Sequence, residues 1–475
     1  MAWDIGAGWR AGAFALLLAG VAQPAIAQQA TLPSADSDPM KIDPKADPLV
    51  GLVGTIGLPE SFRAAVRVAV REHPALEEAR AGRAEAVAAR SEARAQQFPS
   101  GELNLSSFRT LSRDFSNDPQ NIIERSRSRQ RTDFTLSIQQ PVFDFGATAE
   151  RISAAGARIE SAEGNVAATA DQVALRAIAA WYDVFAYRSL VQIGDAYAES
   201  QKELREAVDE RIKQGVSAAG DVAEVDSYLA VTAGRIASYR RQLANAEARF
   251  QELIGAPPPT DMSGSNRAVV PAYERDIVVA AAGQSPPVQA AYAEARAASK
   301  DAEAVRSDNL PQLSAGIDAG RYGVFETDRD YDVRARVNLR YRLFGGRNSR
   351  AKQAQARAAT AEARAQRTRI EAERDALIAW SDVDSLEVAR DAQQRSYVAS
   401  RLSRDVLAER FRVSRGTLIS VLQAEDNFFQ SAAQYILSEV ELETARYALM
   451  SRMGRLLPEL DIQPDSPTGR AGRRK

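Results

Sequence analysis

The sequence predicts a mainly α protein with a small β part, in which very long antiparallel helices carry four short strands and the whole is internally duplicated. Three observations predict it. Pro74 and Pro286, and Pro99 and Pro311, lie 212 residues apart and join HPALEEA to SPPVQAA and FPSGEL to LPQLSA, while AAWYDV around Trp181 returns as IAWSDV around Trp380 at an offset of 199. Two Ala-rich stretches, Ala147 to Lys213 and Arg347 to Val413, each run 67 residues, about 100 Å as α-helix. Tyr331 to Leu343 alternates strictly: Tyr331, Val333, Ala335, Val337, Leu339, Tyr341 and Leu343 share one face, and Asp332, Arg334, Arg336, Asn338, Arg340 and Arg342 the other.

Taken in order, residues 1–27 read as a secretory signal, with Arg10 ahead of an apolar core from Ala11 to Val21 and Ala25 and Ala27 in A-x-A order. No cysteine stands at the expected cut, so the mature chain is expected to carry no N-terminal lipid. Residues 28–60, rich in Pro, Asp and Ser, read as a disordered extension. The first repeat, 61–255, opens with one helix from about Ser61 to Gln97, rich in good helix formers and stopped by Pro99. Strands follow at Glu102 to Arg109 and around Phe134, Leu136 and Ile138, then the 67-residue helix and a return helix with Leu229, Ile236, Leu243 and Phe250 at heptad spacing. The Pro- and Gly-rich stretch 256–284 reads as an inter-repeat linker or equatorial segment. The second repeat, 285–460, has strands at Leu313 to Arg321 and Tyr331 to Leu343, and the return heptads Phe428, Tyr435, Leu442 and Leu449. Residues 461–475 read as a flexible tail.

Composition narrows the function. The net charge is -2 and there is no clustered basic excess, so nucleic acid is not an expected partner. The chain has no cysteine and one histidine, His73, which is read as marking a helix start. Thiolate catalysis, Cys-rich metal sites and a Ser-His-Asp triad therefore lack their parts, and no enzyme activity, metal or cofactor is expected. The many carboxylates on charged helices read as solvated faces or ion pairs one turn apart.

An alternating strand in a soluble sheet needs an amphipathic cover for its apolar face. The rest of this chain is committed to long helices, which leaves lipid as the cover and barrel closure as the answer to free strand edges. Each strand approaches the ~9 to 11 residues that cross an outer membrane, but four strands are too few for a barrel, so the subunit is expected to oligomerise. The alternative is a periplasmic coiled-coil adaptor with a soluble β-domain and no pore of its own. On the membrane reading, Arg334, Arg336, Arg340 and Arg342 face the barrel lumen and make its wall electropositive.

QQPVFDFG and RYRLFGGRNSRAKQAQARA at the strand-to-helix junctions, with RIKQGVSAAGDVAEVDSYLA and ERFRVSRGTLISVLQAEDNFFQSA at the helical turns, resemble the TolC-type outer-membrane efflux and secretion channels from about Ser61 to Leu460. The resemblance implies a homotrimer with a 12-stranded transmembrane β-barrel and a helical tunnel in the periplasm of a Gram-negative cell. It also implies the exit duct of a tripartite system for type I protein secretion or multidrug efflux, with a periplasmic adaptor and an inner-membrane ABC or proton-driven transporter as partners. The absent lipidation site is closer to the type I secretion branch. Carried over residue by residue, the periplasmic gate falls on Asp221 and on Phe411, where the family often has a tyrosine. Ser420 and Gln423 replace an aspartate ring that some members carry, and Gly416 stands where an arginine can occur. Arg415 and Glu224 are the nearest substitutes. The plainer reading makes Asp221 a helix cap, Phe411 a heptad core residue and Arg415 a solvated charge.

Overall fold

The computed structural model describes residues 30–36, 47–53, 60–113, 128–260, 262, 273–327 and 330–463; the expected signal and all but the first residues of the expected tail lie outside them. A short helix α1 (Pro48–Val53) is followed by α2 (Glu60–Glu72) and α3 (Pro74–Ala95), strands β1 (Ser100–Arg109) and β2 (Gln130–Phe143), and helices α4 (Ala147–Lys213) and α5 (Ala219–Ile254). The second half repeats this order as α6 (Arg275–Ala282), α7 (Pro286–Ser307), β3 (Gln312–Arg321), β4 (Tyr331–Arg340), α8 (Arg347–Arg412) and α9 (Leu418–Arg452), closed by α10 (Leu456–Glu459).

The long helices match expectation: α4 has 67 residues and α8 has 66. The expected first helix is instead two. Pro74 has no N–H to give and forces the residue before it out of helical geometry, so His73 is extended (φ -70°, ψ 131°) and its Nδ1 accepts the N–H of Ala75 at 3.1 Å. The stretch 256–284 is not wholly linker, because α6 lies in it as the counterpart of α2. Parts of the N-terminal extension are packed rather than loose: Ala30, Asp47 and Leu49 are buried.

Around α4 the helices form two stacked layers. Towards the strands the order is α3, α4, α7, α8; away from them it is α5, α4, α9, α8. Helix α4 is flanked on both sides and buries Ile178, Trp181, Tyr182 and Phe185, whereas α8 lies at the edge and leaves Ile370, Ile378 and Val388 exposed. The duplicated tryptophans diverge accordingly. Trp181 is 1% exposed, edge-on to Phe62 at 5.3 Å and 6.1 Å from Phe250. Trp380 is half-buried and donates its indole N–H to the Tyr273 carbonyl at 3.0 Å.

Ten residues before Trp181, Asp171 of α4 accepts a hydrogen bond from Ser451 at the end of α9. Burial pushes its carboxyl from the ordinary 3.8 up to about 6, against weaker opposing pulls from Ser451 and Arg452. A raised acid destabilises the fold only when ionised, so its cost is absent at low pH, grows as pH rises through the ordinary carboxylate range, and is complete above the folded value. Asp171→Asn is therefore expected to raise thermal stability by about 2 to 3 kcal/mol near pH 8 and by close to nothing near pH 4, read by melting the purified protein at both. Equal effects at the two pH values would show that ionisation is not the cause.

Candidate functional site

The four strands form one antiparallel sheet in the order β1-β2-β3-β4, with no strand outside β1 or β4 among the described residues. The register sorts their side chains into two faces. Gly101, Leu103 and Leu105 stand opposite Ile138, Leu136 and Phe134; these pair on with Ile317, Ala319 and Arg321, and Leu313, Ala315, Ile317 and Ala319 meet Leu339, Val337, Ala335 and Val333. All but Arg321 and the small residues are apolar and large. Val337 is 71% and Leu103 62% exposed, so none of the described residues covers these positions.

The opposite face is polar, and its charge differs from the expectation based on β4 alone. It carries Arg131, Arg334, Arg336 and Arg340 against Glu102, Asp133, Asp318 and Asp332. Arg336 pairs with Asp318 at 3.1 Å, Arg334 with Asp332, and Arg131 with Asp133 at 2.8 Å. Neighbouring strands thus supply carboxylates that a reading of one strand could not see, and this face of the sheet carries both signs. Arg342 lies beyond the end of β4 at Arg340.

At each strand-to-helix junction two successive residues adopt positive φ: Phe145 (52°) and Gly146 (87°) before α4, Gly345 (101°) and Gly346 (77°) before α8. This left-handed pair joins each strand to the long helix that follows it, and explains the glycines of DFG and FGG.

The far ends of α4 and α8 close alike. Gly215 (φ 73°) and Ser414 (φ 60°) take the left-handed position, and the N–H groups of Val216 and Arg415 reach back to the carbonyls of Arg211 and Arg410 at 2.9 and 2.7 Å. The helices that follow split one capping device between them. Before α5 the Asp221 carboxylate accepts the Ala218 N–H at 3.1 Å; before α9 the Thr417 hydroxyl accepts the Ser420 N–H at 3.4 Å. Asp221 is thus a third-position cap.

Phe411 is buried with Val208, Val225, Leu418 and Leu422. Arg211 holds it there, its guanidinium 4.5 Å from the ring centre and donating to the Phe411 carbonyl at 3.1 Å. A second tie between the halves is Arg235 with Asp426 at 2.5 Å. Arg415 is exposed and Glu224 half-buried, and within one chain no ion pair joins Arg415 to Asp221. Arg211 escaped the sequence reading because it stands in a charged run, DERIK, that looks solvated. The offset of 199, which sets Ile212 against Phe411, was the available signal that the two turns meet.

The chain matches the family described as outer membrane efflux protein over residues 65–256 and 277–455, two stretches that begin 212 residues apart and end 199 apart, the offsets of the duplication. The outer membrane efflux protein BepC of Brucella suis biovar 1 (strain 1330) is 22% identical over 415 residues, covering 85% of this chain and 88% of BepC. Among solved structures, a membrane protein from Pseudomonas aeruginosa superposes with a TM-score of 0.74 at 18% identity, covering 90% of this chain and 97% of that one. The CmeC outer membrane channel of Campylobacter jejuni does so with a TM-score of 0.71 at 16% identity, covering 90% and 94%. The resemblance read from the junctions and turns is borne out, and the reading as a poreless adaptor is set aside. The chain belongs to the outer membrane efflux protein family, and is an outer-membrane channel subunit with its helical tunnel in the periplasm, the exit duct of an efflux or secretion system.

Proposed function

We propose that the duct is a homotrimer whose three sheets close one 12-stranded barrel, fed through a periplasmic adaptor by an inner-membrane ABC or proton-driven transporter. The carrying observation is the sheet itself: among the described residues its apolar face has no cover and its two edges, β1 and β4, have no further strand, and these edges run antiparallel and so can pair from one copy to the next. The exposed apolar residues of α8 supply a second surface for a neighbouring copy. In this arrangement the apolar face meets outer-membrane lipid, and Arg334 and Arg336, paired with Asp332 and Asp318, line the lumen together with Arg340. At the tunnel end Val216, Val413 and Ile419 are exposed beside Lys213, Arg412 and Arg415, a mixed apolar and basic rim suited to an adaptor. Mass measurement of the detergent-extracted protein tests the trimer; a monomer would overturn it.

The same reading makes Asp221, Glu224, Phe411 and Arg415 the gate, with Asp221 of one chain held by Arg415 of the next. Each exposed pair is worth only about 0 to 1 kcal/mol, and threefold symmetry repeats it, leaving a latch that docking can break. Asp221→Arg is expected to raise single-channel conductance in planar bilayers a few-fold, and adding Arg415→Asp to restore part of the closure. Unchanged conductance with a lower melting temperature would leave Asp221 as a cap and nothing more.

A further inference from the structure

The expected loose extension contains a deeply buried carboxylate. Asp47 is 1% exposed. Its oxygens accept the Tyr397 hydroxyl at 2.9 Å and pair with Arg401 at 2.5 Å, and one of them caps α1 by accepting the Leu49 N–H at 2.8 Å. Leu49, also 1% exposed, belongs to the apolar cluster of Tyr397, Phe428 and Tyr435, whose rings stack at 5.5 and 5.8 Å. Upstream, Arg404 donates to the Pro33 carbonyl at 2.9 Å, and the Ala30 N–H donates to Gln192 at 3.1 Å.

These contacts have a direction. Gln192 is on α4, in the first repeat, and Tyr397, Arg401 and Arg404 are on α8, in the second; α9 lies between them. The N-terminal segment therefore lashes one helical hairpin to the other. Tyr397 and Arg404 lie 15 and 8 residues before the end of α8 at Arg412, roughly 12 to 22 Å from the turn. At the turn the hairpins are tied by Arg211 to Phe411, and at about the depth of Arg404 by Arg235 to Asp426.

We propose that Tyr397, Arg401 and the adjoining ring cluster form a binding site for an Asp-Pro-Leu helix-start turn, filled in cis by Asp47 to Leu49, and that its occupancy holds the tunnel end closed. The regulatory half rests on the channel reading of the preceding subsection; the binding half does not. Leaving the site strips Arg401 of its 2.5 Å partner, with only Asp405 at 3.9 Å left to it, and wets Leu49, so the turn stays seated until the hairpins are pulled apart, and a chain without it opens more readily. Removal of one partner from a buried ion pair leaves the other uncompensated, which shifts the seated fraction by about tenfold or more.

The chain has no cysteine, so a single Leu49→Cys reports seating through its rate of maleimide labelling in the purified full-length protein. Adding Asp47→Ala is expected to raise that rate about tenfold or more, and to raise bilayer conductance several-fold. A peptide of residues 45–54 is expected to fill the vacated site and so to reverse the gain in conductance while labelling of the displaced thiol stays fast, and the same peptide with Asn for Asp47 to leave the conductance raised. Tyr397→Phe, which removes one hydroxyl, gives the same changes at smaller size and stands in if Asp47→Ala does not assemble. Unchanged labelling overturns the site. Faster labelling with unchanged conductance overturns its control of the gate, provided Asp221→Arg conducts; if no variant conducts, it is the channel reading that fails, while the labelling result still decides the site.

Discussion

Val337→Arg is expected to remove most of the protein from the outer membrane. Val337 lies mid-strand on the uncovered apolar face, 71% exposed, with Ala315 opposite it on β3. An arginine at the midplane of a barrel's lipid face costs about 2 to 4 kcal/mol per copy, and three copies compound it. Fractionation and unheated gel electrophoresis should show trimer reduced by about tenfold or more. Asn338→Arg, one residue on and on the opposite face, is the control and should assemble normally. Equal assembly of the two variants would mean that this face does not meet lipid.

The second large effect is Trp181→Ala. Truncating a fully buried tryptophan costs about 3 to 5 kcal/mol, because the cavity left behind relaxes only in part. Here the ring joins α2, α4 and α5 through Phe62 and Phe250, so collapse would have to move three helices together. Trp380→Ala at the equivalent position of the second repeat removes a half-buried ring and one hydrogen bond, and should cost no more than about 2 kcal/mol. Thermal melting of the two variants in one detergent gives the comparison, and equal losses would contradict the asymmetry between α4 and α8.

That asymmetry marks where the sequence stops being informative. The length of α4, the strand faces and the two offsets were legible because period, composition and proline placement are local properties. His73 and Pro74 were read as a helix start inside a single longer helix, although the rule that a residue before proline leaves the helical region was enough to divide it. The mixed charge of the polar face was out of reach from β4 alone, since Asp318 becomes a partner of Arg336 only once the register of β3 is known. Asp47 was hidden for a different reason. A segment rich in Pro and Asp has the composition of a disordered tail, and nothing local tells that one aspartate among several will meet Tyr397 and Arg401, 350 and 354 residues away. At the turns, Asp221 could be recognised as capping or gating, but Arg211 could not be told from its charged neighbours without the packing of Phe411.

The sheet register also constrains how the protein is made. Strands β1 and β2 are neighbours in sequence and can pair as soon as they emerge, and so can β3 and β4. The central seam, however, joins Phe134 to Arg321 and Ser137 to Asp318, so it cannot form until the whole of α4, α5 and α7 has been synthesised and delivered. Closing such a distant pair costs chain entropy before any contact repays it, which makes the seam a late and slow event. During that interval a two-stranded ribbon with one greasy face waits in water, the kind of species that aggregates. The helical hairpins, closed by local caps at both turns, are free to fold meanwhile. The register thus sets an order in which the hairpins and the two ribbons form locally and the seam that joins the ribbons comes last.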